Sequence, residues 1–272
     1  MARAGGTVIC PLIYLAGVSG PRSWGPAMGG LEGVGAVLLD LYWTMVYEVR
    51  EEEEACRAEG YARVADVLSS TGHSVEPEDV ERAHRAAFEA ELERLRGTMD
   101  ELDAVLVFWR ALEALGVEPT VPLVRECLDA FYGAEVGAVR LFPDVRPALE
   151  RLRSAGVRLA VVSNATLRFE YVVSRLGLAS LFDALVASYK VTKVKPHPAV
   201  FEAALRLLGA EPSEAVMVGD SYGADVVGAK RLGMRAVLVA RGGLKPSLPM
   251  SLGPPPDAVV RDLLELCDLL GC

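Results

Sequence analysis

The apolar run over residues 36–39 ends on a carboxylate, Asp40, and this junction constrains the fold more than any other feature of the sequence. A continuous apolar run without polar alternation is typical of a parallel strand that helices cover on both faces. In an open α/β sheet, ligands bind outside the carboxyl ends of the strands. We therefore expect Asp40 in a ligand crevice, where a carboxylate can act as a nucleophile that forms a covalent intermediate.

Strands and helices alternate again after residue 141. Short apolar runs are separated there by stretches of helical spacing, which indicates βαβ units, right-handed crossovers and a parallel sheet. Residues 47–131 differ, because charged and apolar residues recur at helical spacing throughout. The sequence therefore predicts an α/β fold with an all-helical insert. The predicted strands after residue 141 are 158–162, 185–186, 215–218, 236–239 and 257–260, and the predicted helices include 143–155, 202–208 and 262–270.

Composition and charge narrow the kinds of partner. The chain has 272 residues, of which 51% are hydrophobic, enough for a sizeable core. Its net charge is −9 and it contains no Lys/Arg run, which argues against a nucleic acid or an anionic membrane surface as the partner. The five cysteines are scattered without CxxC spacing, so neither a disulfide framework nor a zinc knuckle is indicated, and a reducing cytoplasm is expected. A small-molecule partner is expected, and the oligomeric state has no signature.

The apolar stretch over residues 7–18 leaves two interpretations of the N-terminus open. It loosely resembles the core of a signal peptide, although Pro11 interrupts it and it is too short to span a bilayer. The alternative is a disordered N-terminal extension over residues 1–33, with Met28 as another start. No other segment of the sequence approaches the length of a membrane span.

Three predicted strands end on small or acidic polar residues. Asp40, Ser163 and Asp220 lie at such ends, and neighbouring parallel strands bring their ends into one crevice. Lys195, in a turn that two prolines make rigid, can reach the same crevice. Two acids placed close together favour a hard divalent cation, which with oxygen ligands at a phosphate site means Mg²⁺. Lysine and backbone N–H groups would hold the remaining phosphate oxygens.

Four segments, in this order, make the chain similar to the haloacid dehalogenase (HAD) superfamily. The match covers nearly everything from residue 36 to about residue 270, and each segment falls at a predicted strand end. Residues 141–145 resemble the segment by which such chains return from a helical cap to the core. The four segments are Asp40 with Thr44, Val161-Val162-Ser163-Asn164, Lys195-Pro196-His197-Pro198 with Phe201, and Gly219-Asp220-Ser221 with Asp225.

The resemblance implies a Rossmann-like core over residues 34–45 and 137–272. It also implies an all-helical cap over residues 46–136, which closes over the site and contributes substrate selectivity. By the same resemblance, Asp40 is expected to be the nucleophile. The full set of implied roles is catalysis by Asp40, Tyr42 and Lys195, binding of the substrate or its phosphate by Thr44, Ser163, Asn164 and Lys195, and Mg²⁺ ligation by Asp40, Tyr42 through its backbone carbonyl, Asp220 and Asp225.

Tyr42 is the main departure from the phosphatases of this superfamily, which normally carry a second aspartate at this position. A phenol, with an ordinary pKa of about 10, can protonate an alkoxide but is a poor base for water near neutral pH. Phosphatase turnover is then expected to be limited by hydrolysis of the aspartyl phosphate. A packing role for Tyr42 at the cap interface stays open beside the catalytic one.

Three hypotheses for the function remain. The leading one is Mg²⁺-dependent hydrolysis of a small phosphomonoester through an aspartyl phosphate, with a small phosphorylated or anionic metabolite as the partner. The second is a 2-haloacid dehalogenase type of enzyme, which resembles this chain at Tyr42 and uses no metal. Against it, the acids Asp220 and Asp225 would repel an anionic haloacid. The third is a binding member of the superfamily without useful turnover.

The sequence context also bears on five other polar residues. Asn164 either stabilises its turn or points into the site. Lys193 is expected to be a surface lysine. The three histidines show no metal-ligand spacing, and they are expected at the surface or in turns: His73, His84 and His197.

Overall fold

A computed structural model describes residues 31–241 and 253–272 of the chain. Its strands are β1 Ala36–Leu39, β2 Val46–Glu48, β3 Val139–Leu141, β4 Arg158–Ser163, β5 Ala184–Ala187, β6 Ala215–Gly219, β7 Arg235–Val239 and β8 Ala258–Val260. Its helices are α1 Arg50–Ser70, α2 Pro77–Arg94, α3 Ala104–Ala114, α4 Val121–Glu135, α5 Val145–Ser154, α6 Arg168–Arg175, α7 Ser188–Val191, α8 Pro198–Leu208, α9 Val227–Arg231 and α10 Leu263–Leu270.

Within the described ranges, six parallel strands form one sheet in the order β5-β4-β1-β6-β7-β8. The residues of β1 are all buried, because strands pair on both sides and helices cover both faces. Leu39 is paired with Val161 of β4 and with Val218 of β6. The carboxyl ends of these three strands therefore lie side by side, and the residues that follow them share one edge of the sheet.

Alternate residues of β1 pack into two apolar layers on opposite faces of the sheet. Val37 and Leu39 belong to the layer that includes residues of α5, α6 and α10. Ala36 and Leu38 belong to the layer that includes residues of α8 and α9. This two-residue alternation is the ordinary geometry of a strand. The predicted fold class, an α/β core with a parallel sheet and a helical insert, is confirmed.

Helices α1 to α4 lie between β2 and β3 and have their own apolar cores. The two strands pair antiparallel, with Val46 opposite Leu141 and Glu48 opposite Val139. The prediction of helical structure from residue 47 onward is therefore wrong for the start of the insert. Local spacing could not show this strand, because its partner lies at the far end of the insert. The bounds given for core and cap stay a prediction.

Helix α8 begins four residues earlier than the sequence pattern predicts. Pro198 occupies its first position, where the missing N–H of proline has no cost. The side chain of His197 accepts a hydrogen bond from the N–H of Ala199 at 3.2 Å and thereby caps the helix. The turn position expected for His197 is confirmed.

Most of the predicted N-terminal extension, residues 1–30, lies outside the described residues. Its signal-peptide and disordered interpretations therefore stay predictions. Leu31 packs against the apolar layer that contains α5. Among the helices of the described ranges, none combines the length and the apolar character that crossing a membrane requires.

His84 is buried in the helical insert, so the prediction of a surface or turn position is wrong for this residue. Its Nδ1 lies 3.2 Å from the hydroxyl of Tyr61, and its ring is 4.6 Å from that of Phe108 between centroids. Burial lowers the pKa of His84 to about 4. The charged residues around it in the sequence of α2 gave no sign of this environment.

The buried histidine predicts an acid-sensitive insert. Because the folded-state pKa of His84 lies below the ordinary value of about 6.5, the unfolded chain binds the proton first, and the stabilisation present above pH 6.5 is lost as the pH falls toward 4. The free energy of unfolding should therefore drop over this window by on the order of 3 kcal/mol more in the natural protein than in a His84→Phe variant. Denaturant unfolding followed by circular dichroism at pH 7, 5.5 and 4.5 measures this difference. If the free energy of unfolding fell equally in the two proteins between pH 7 and 4.5, the result would contradict this prediction.

Candidate active site

Lys195 is the centre of the site at the carboxyl ends of the strands. Its side chain is only 2% exposed. Its Nζ donates to Asp40 Oδ1 at 2.8 Å and to the carbonyl oxygen of Val162 at 2.7 Å, and it lies 2.7 Å from Asp225 Oδ1. Burial alone would lower the pKa of Lys195, but the carboxylates of Asp225 and Asp40 outweigh it and raise the pKa to about 12. The ammonium group is therefore charged at any physiological pH.

Three carboxylates surround this ammonium group. Asp40, Asp220 and Asp225 each offer an oxygen atom, and these oxygens all lie within 4.8 Å of one another. Burial and the charge of Asp40 raise the pKa values of Asp220 and Asp225 above their ordinary range. One ammonium group does not balance three carboxylates, so the site favours a further cation. Because every donor is an oxygen, the set fits Mg²⁺.

Asp225 is held in place by its own loop. After β6 the chain makes a π-helical turn over Tyr222–Val226, and the N–H of Ser221 donates to Asp225 Oδ2 at 3.0 Å. A Cβ atom at Gly219 would overlap the Asp225 carboxylate, so only glycine fits at the end of β6. Asp225 thus has a hydrogen bond at Oδ2 and the charge of Lys195 beside Oδ1, although Oδ1 itself accepts no hydrogen bond from any described residue. Asp220 instead stands at the rim of the cluster, half-buried. Asp220 is the freer of the two as a direct metal ligand.

Two hydroxyl groups beside this cluster lack partners. Thr44 Oγ1 and Ser163 Oγ are buried and make no hydrogen bond to any residue that the structure describes. A buried polar group left unpaired costs about 1–3 kcal/mol. Thr44 follows Asp40 by four residues, and Ser163 follows Val162, whose carbonyl oxygen binds Lys195. Their placement suits donation to the oxygens of an anion at Asp40.

Asn164 does not point into the site. Its side-chain Oδ1 accepts a hydrogen bond from the backbone N–H of Lys195 at 2.6 Å, and its Nδ2 donates to the carbonyl oxygen of Lys195 at 3.2 Å. The Asn164 side chain therefore binds both the N–H and the carbonyl oxygen of the Lys195 backbone. Of the two interpretations that the sequence left open, the geometry favours stabilisation of the turn, and the predicted contact of Asn164 with substrate has no support here.

The phenol of Tyr42 is engaged by Arg168, a residue that the sequence did not single out. Arg168 Nη1 donates to the Tyr42 hydroxyl at 2.6 Å, and the same guanidinium bonds Glu48 and Glu135, each at 2.5 Å. Burial raises the pKa of Tyr42 above its usual range. The phenol thus connects the loop over residues 40–45, between β1 and β2, to α6; we call this loop the crevice loop. Through Arg168 and the two glutamates, it is also connected to β2 and α4. This arrangement favours packing over proton transfer.

The backbone of Tyr42 is arranged differently from its side chain. Leu41 and Trp43 form the hydrogen bonds of a short bridge to Val46, at 2.9 Å and 2.7 Å. In a parallel bridge of this kind the residues that flank Tyr42 make the hydrogen bonds to Val46, so the N–H and C=O of Tyr42 itself point away from Val46. The N–H and C=O of Tyr42 make no hydrogen bond with any described residue. The carbonyl is therefore available as a ligand, as the resemblance implies.

Arg241 fixes the other end of the crevice loop, and the sequence gave no signal for it. Its Nε donates to the carbonyl oxygen of Thr44 at 2.8 Å, and its two terminal nitrogens bind the carboxylate of Asp144, both at 2.8 Å. Its guanidinium also lies 4.0 Å from the ring centroid of Phe142. A bidentate pair of this kind is among the strongest side-chain contacts. It holds Thr44 against the segment over which the chain returns to the core.

Comparison with known proteins agrees with this geometry. The family model described as "haloacid dehalogenase-like hydrolase" matches residues 35–233. The chain belongs to this family. It is 34% identical over 161 residues to a glyceraldehyde 3-phosphate phosphatase from Methanopyrus kandleri, an alignment that covers 58% of this chain and 69% of the relative.

Two solved structures of HAD proteins resemble the chain over nearly their whole length. A 2-haloacid dehalogenase from Pseudomonas syringae has a TM-score of 0.63 and 26% identity, covering 88% of this chain and 98% of its own. A HAD phosphatase from Thermococcus onnurineus has a TM-score of 0.59 and 28% identity, covering 87% of this chain and 97% of its own. The predicted superfamily and the enzyme class, a HAD hydrolase, are confirmed. The role of each site residue stays a prediction.

The position of the Tyr42 hydroxyl predicts a specific mutational result. Replacing Tyr42 with Phe should leave kcat for a phosphomonoester within about threefold, whereas loss of a general acid typically costs about 10²–10⁴-fold. The same variant should lose about 1–2 kcal/mol of folding free energy, because Arg168 loses one of its partners. Steady-state kinetics and denaturant unfolding measure the two effects. Tyr47→Phe, which removes a nearby hydroxyl, is the matched control, and a hundredfold fall in kcat for Tyr42→Phe alone would contradict a packing role.

Proposed function

We propose that this protein hydrolyses a small phosphomonoester through a phosphoryl intermediate on Asp40, with Mg²⁺ as the cofactor. The observation that carries the proposal is the setting of Asp40. Its carboxylate contacts a buried ammonium group, and two buried hydroxyls without partners lie on the adjoining segments. A carboxylate so placed can attack phosphorus while Lys195, Thr44 and Ser163 hold the phosphoryl oxygens.

The reaction has two displacements at phosphorus. In the first, an oxygen of Asp40 forms a bond to phosphorus, the bond to the leaving oxygen breaks, and the leaving oxygen takes a proton from solvent water as it departs as an alcohol. In the second, water forms a bond to phosphorus and gives a proton to solvent, and the bond between phosphorus and the Asp40 oxygen breaks, which releases phosphate and restores the carboxylate. Lys195 stays protonated throughout and offsets the charge that the phosphoryl group brings.

The donor set also supports a metal. Asp40, Asp220 and the backbone carbonyl of Tyr42 would hold Mg²⁺, with Asp225 beside them as a fixed charge that also orients Lys195. When bound, Mg²⁺ neutralises the carboxylates and withdraws charge from the phosphoryl oxygens. Tyr42 offers no carboxylate for proton transfer, so we expect turnover to be limited by the second displacement, in which water must be deprotonated.

The relatives support a small phosphorylated metabolite as the substrate class. One is named a glyceraldehyde 3-phosphate phosphatase and another, from Halopiger xanaduensis, a ribulose-1,5-bisphosphate 5-phosphatase. The helical insert over the predicted range 46–136 would act as the cap that selects among such metabolites. The scattered cysteines support a cytoplasmic place of action.

Dehalogenase chemistry is the second candidate, because Tyr42 replaces the acid of the phosphatases and a 2-haloacid dehalogenase is among the structural neighbours. In that reaction Asp40 would attack carbon and expel halide, and water would then cleave the ester. The cluster of Asp40, Asp220 and Asp225 opposes it, since unbalanced carboxylates repel an anionic haloacid. A binding protein without turnover is the third candidate.

Hydrolysis of p-nitrophenyl phosphate separates these candidates. We expect nitrophenol release that requires Mg²⁺, stops in excess EDTA, and falls at least about a thousandfold in Asp40→Asn, because the nucleophile is removed. Asp220→Asn should weaken the response to Mg²⁺. Asp66→Asn, the same chemical change at an exposed position of α1, is the matched control and should leave the rate unchanged.

The contrary outcomes are distinct. Halide release from a 2-haloacid that persists in EDTA would replace the phosphatase with the dehalogenase. Stabilisation of the fold by phosphate and Mg²⁺, without turnover in either assay, would indicate a binding protein.

A further inference from the structure

A short segment of the helical insert pairs with the chain directly before Lys195. We define residues 99–101, between α2 and α3, as the cap strap. The N–H of Val194 donates to the carbonyl oxygen of Met99 at 2.9 Å, and the N–H of Glu101 donates to the carbonyl oxygen of Thr192 at 3.2 Å. Asp100 and Lys193 face each other as an antiparallel pair between these bonds. The insert is thus joined by backbone hydrogen bonds to the lysine's own segment.

Side chains strengthen this pairing on both sides. Lys193 forms an ion pair with Asp100, so the lysine that the sequence assigned to the surface has a defined partner. The hydroxyl of Ser188 donates to the carboxylate of Glu101 and accepts a hydrogen bond from the N–H of Ala165 at 2.8 Å. Ala165 lies two residues beyond Ser163, so Glu101 is connected to the loop at the end of β4 as well.

The left-handed backbone at Thr192 is hydrogen-bonded to the strap. Thr192 has φ of +58°, in the left-handed region, where a β-branched residue is strained. Its carbonyl oxygen accepts the hydrogen bond from Glu101, which helps to retain this conformation. Without that bond, a backbone conformation with negative φ at Thr192 would have the lower free energy, and the turn that leads into Lys195 would change.

The strap is therefore connected to Asp40 through a single residue, Lys195. Lys195 is gripped by Asn164 at its backbone and contacts Asp40 with its side chain. We propose that Asp100 and Glu101 are positioning residues of the insert that hold Lys195 on Asp40, so that seating of the insert assembles the anion site. The inference deepens the proposed function and rests on the role given there to Lys195.

The position of Lys195 can be measured without any turnover. Competitive acetylation with acetic anhydride, read by mass spectrometry, reports how accessible each lysine is. In the double variant Asp100→Asn with Glu101→Ala, acetylation of Lys195 should become at least tenfold faster, while that of Lys230 stays unchanged because its ion-pair partner is Asp257, which the variant leaves in place. When Glu101→Gln replaces Glu101→Ala in the double variant, the amide oxygen still accepts a hydrogen bond from Ser188. Most of the protection of Lys195 from acetylation should then return.

Two further variants separate positioning from general loosening of the insert. Asp79→Asn removes an ion pair of the same insert, between the exposed side chains of Asp79 and Arg82, which both lie on α2, and it should leave Lys195 protected. Thr192→Asn lowers the strain of the left-handed position, since asparagine tolerates it, and should reduce the effect of the double variant on Lys195. Circular dichroism and denaturant unfolding confirm that each variant is folded.

The kinetic readout depends on the proposed function and the labelling does not. With p-nitrophenyl phosphate, the double variant should raise KM several-fold more than Asp79→Asn does, because the anion site is misplaced. Unchanged acetylation of Lys195 in the folded double variant would overturn the positioning role. If the natural protein shows no phosphatase turnover, the proposed function fails, and faster acetylation of Lys195 would still establish the connection between the strap and the lysine.

Discussion

The buried ammonium group of Lys195 is the interaction on which the site depends. It touches Asp40, Asp225 and the carbonyl oxygen of Val162, and so ties together three separate segments of the chain. Removing one member of a buried, hydrogen-bonded charge set typically costs several kcal/mol, because a charge is left without a partner. The remaining negative charge of the acidic cluster makes the same place receptive to a divalent cation and, through it, to an anionic substrate.

Two arginines hold the crevice loop that follows Asp40. Arg241 fixes the carbonyl of Thr44 against Asp144, and Arg168 fixes the phenol of Tyr42 against Glu48 and Glu135. One anchor belongs to the core and the other reaches the helical insert. Because the loop carries both the nucleophile and a hydroxyl without a partner, its rigidity serves preorganisation of the site. The insert is connected to this loop at one end and to the lysine's segment at the other.

The local sequence pattern was sufficient to predict the parallel sheet and the acidic residues at its edge. Apolar runs that end on Asp40, Ser163 and Asp220 predict strands whose ends meet, and the register of β4, β1 and β6 does bring them together. The direction in which a side chain points could not be predicted from the sequence. Asn164 could face the turn or the site with equal plausibility, and only the folded position of Lys195 decides between them.

Contacts between distant segments were also beyond the sequence. Arg168 and Arg241 lie in ordinary helix and strand-end contexts, and nothing near them marks the residues they bind. The burial of His84 within a charged helix, and the pairing of β2 with β3, likewise depend on tertiary neighbours. The same holds for Glu101, whose partner Ser188 belongs to another segment of the fold.

Phosphatase chemistry at this site requires that Asp40 carry the phosphoryl group during turnover, and this can be measured. The protein would be mixed with a phosphomonoester labelled with radioactive phosphorus, quenched in acid within one turnover, and digested for mapping of the labelled peptide. We expect label on the peptide that contains Asp40, and none in Asp40→Asn. Phosphate release without any label on Asp40, or a covalent adduct on Asp40 formed from a 2-haloacid instead, would contradict it.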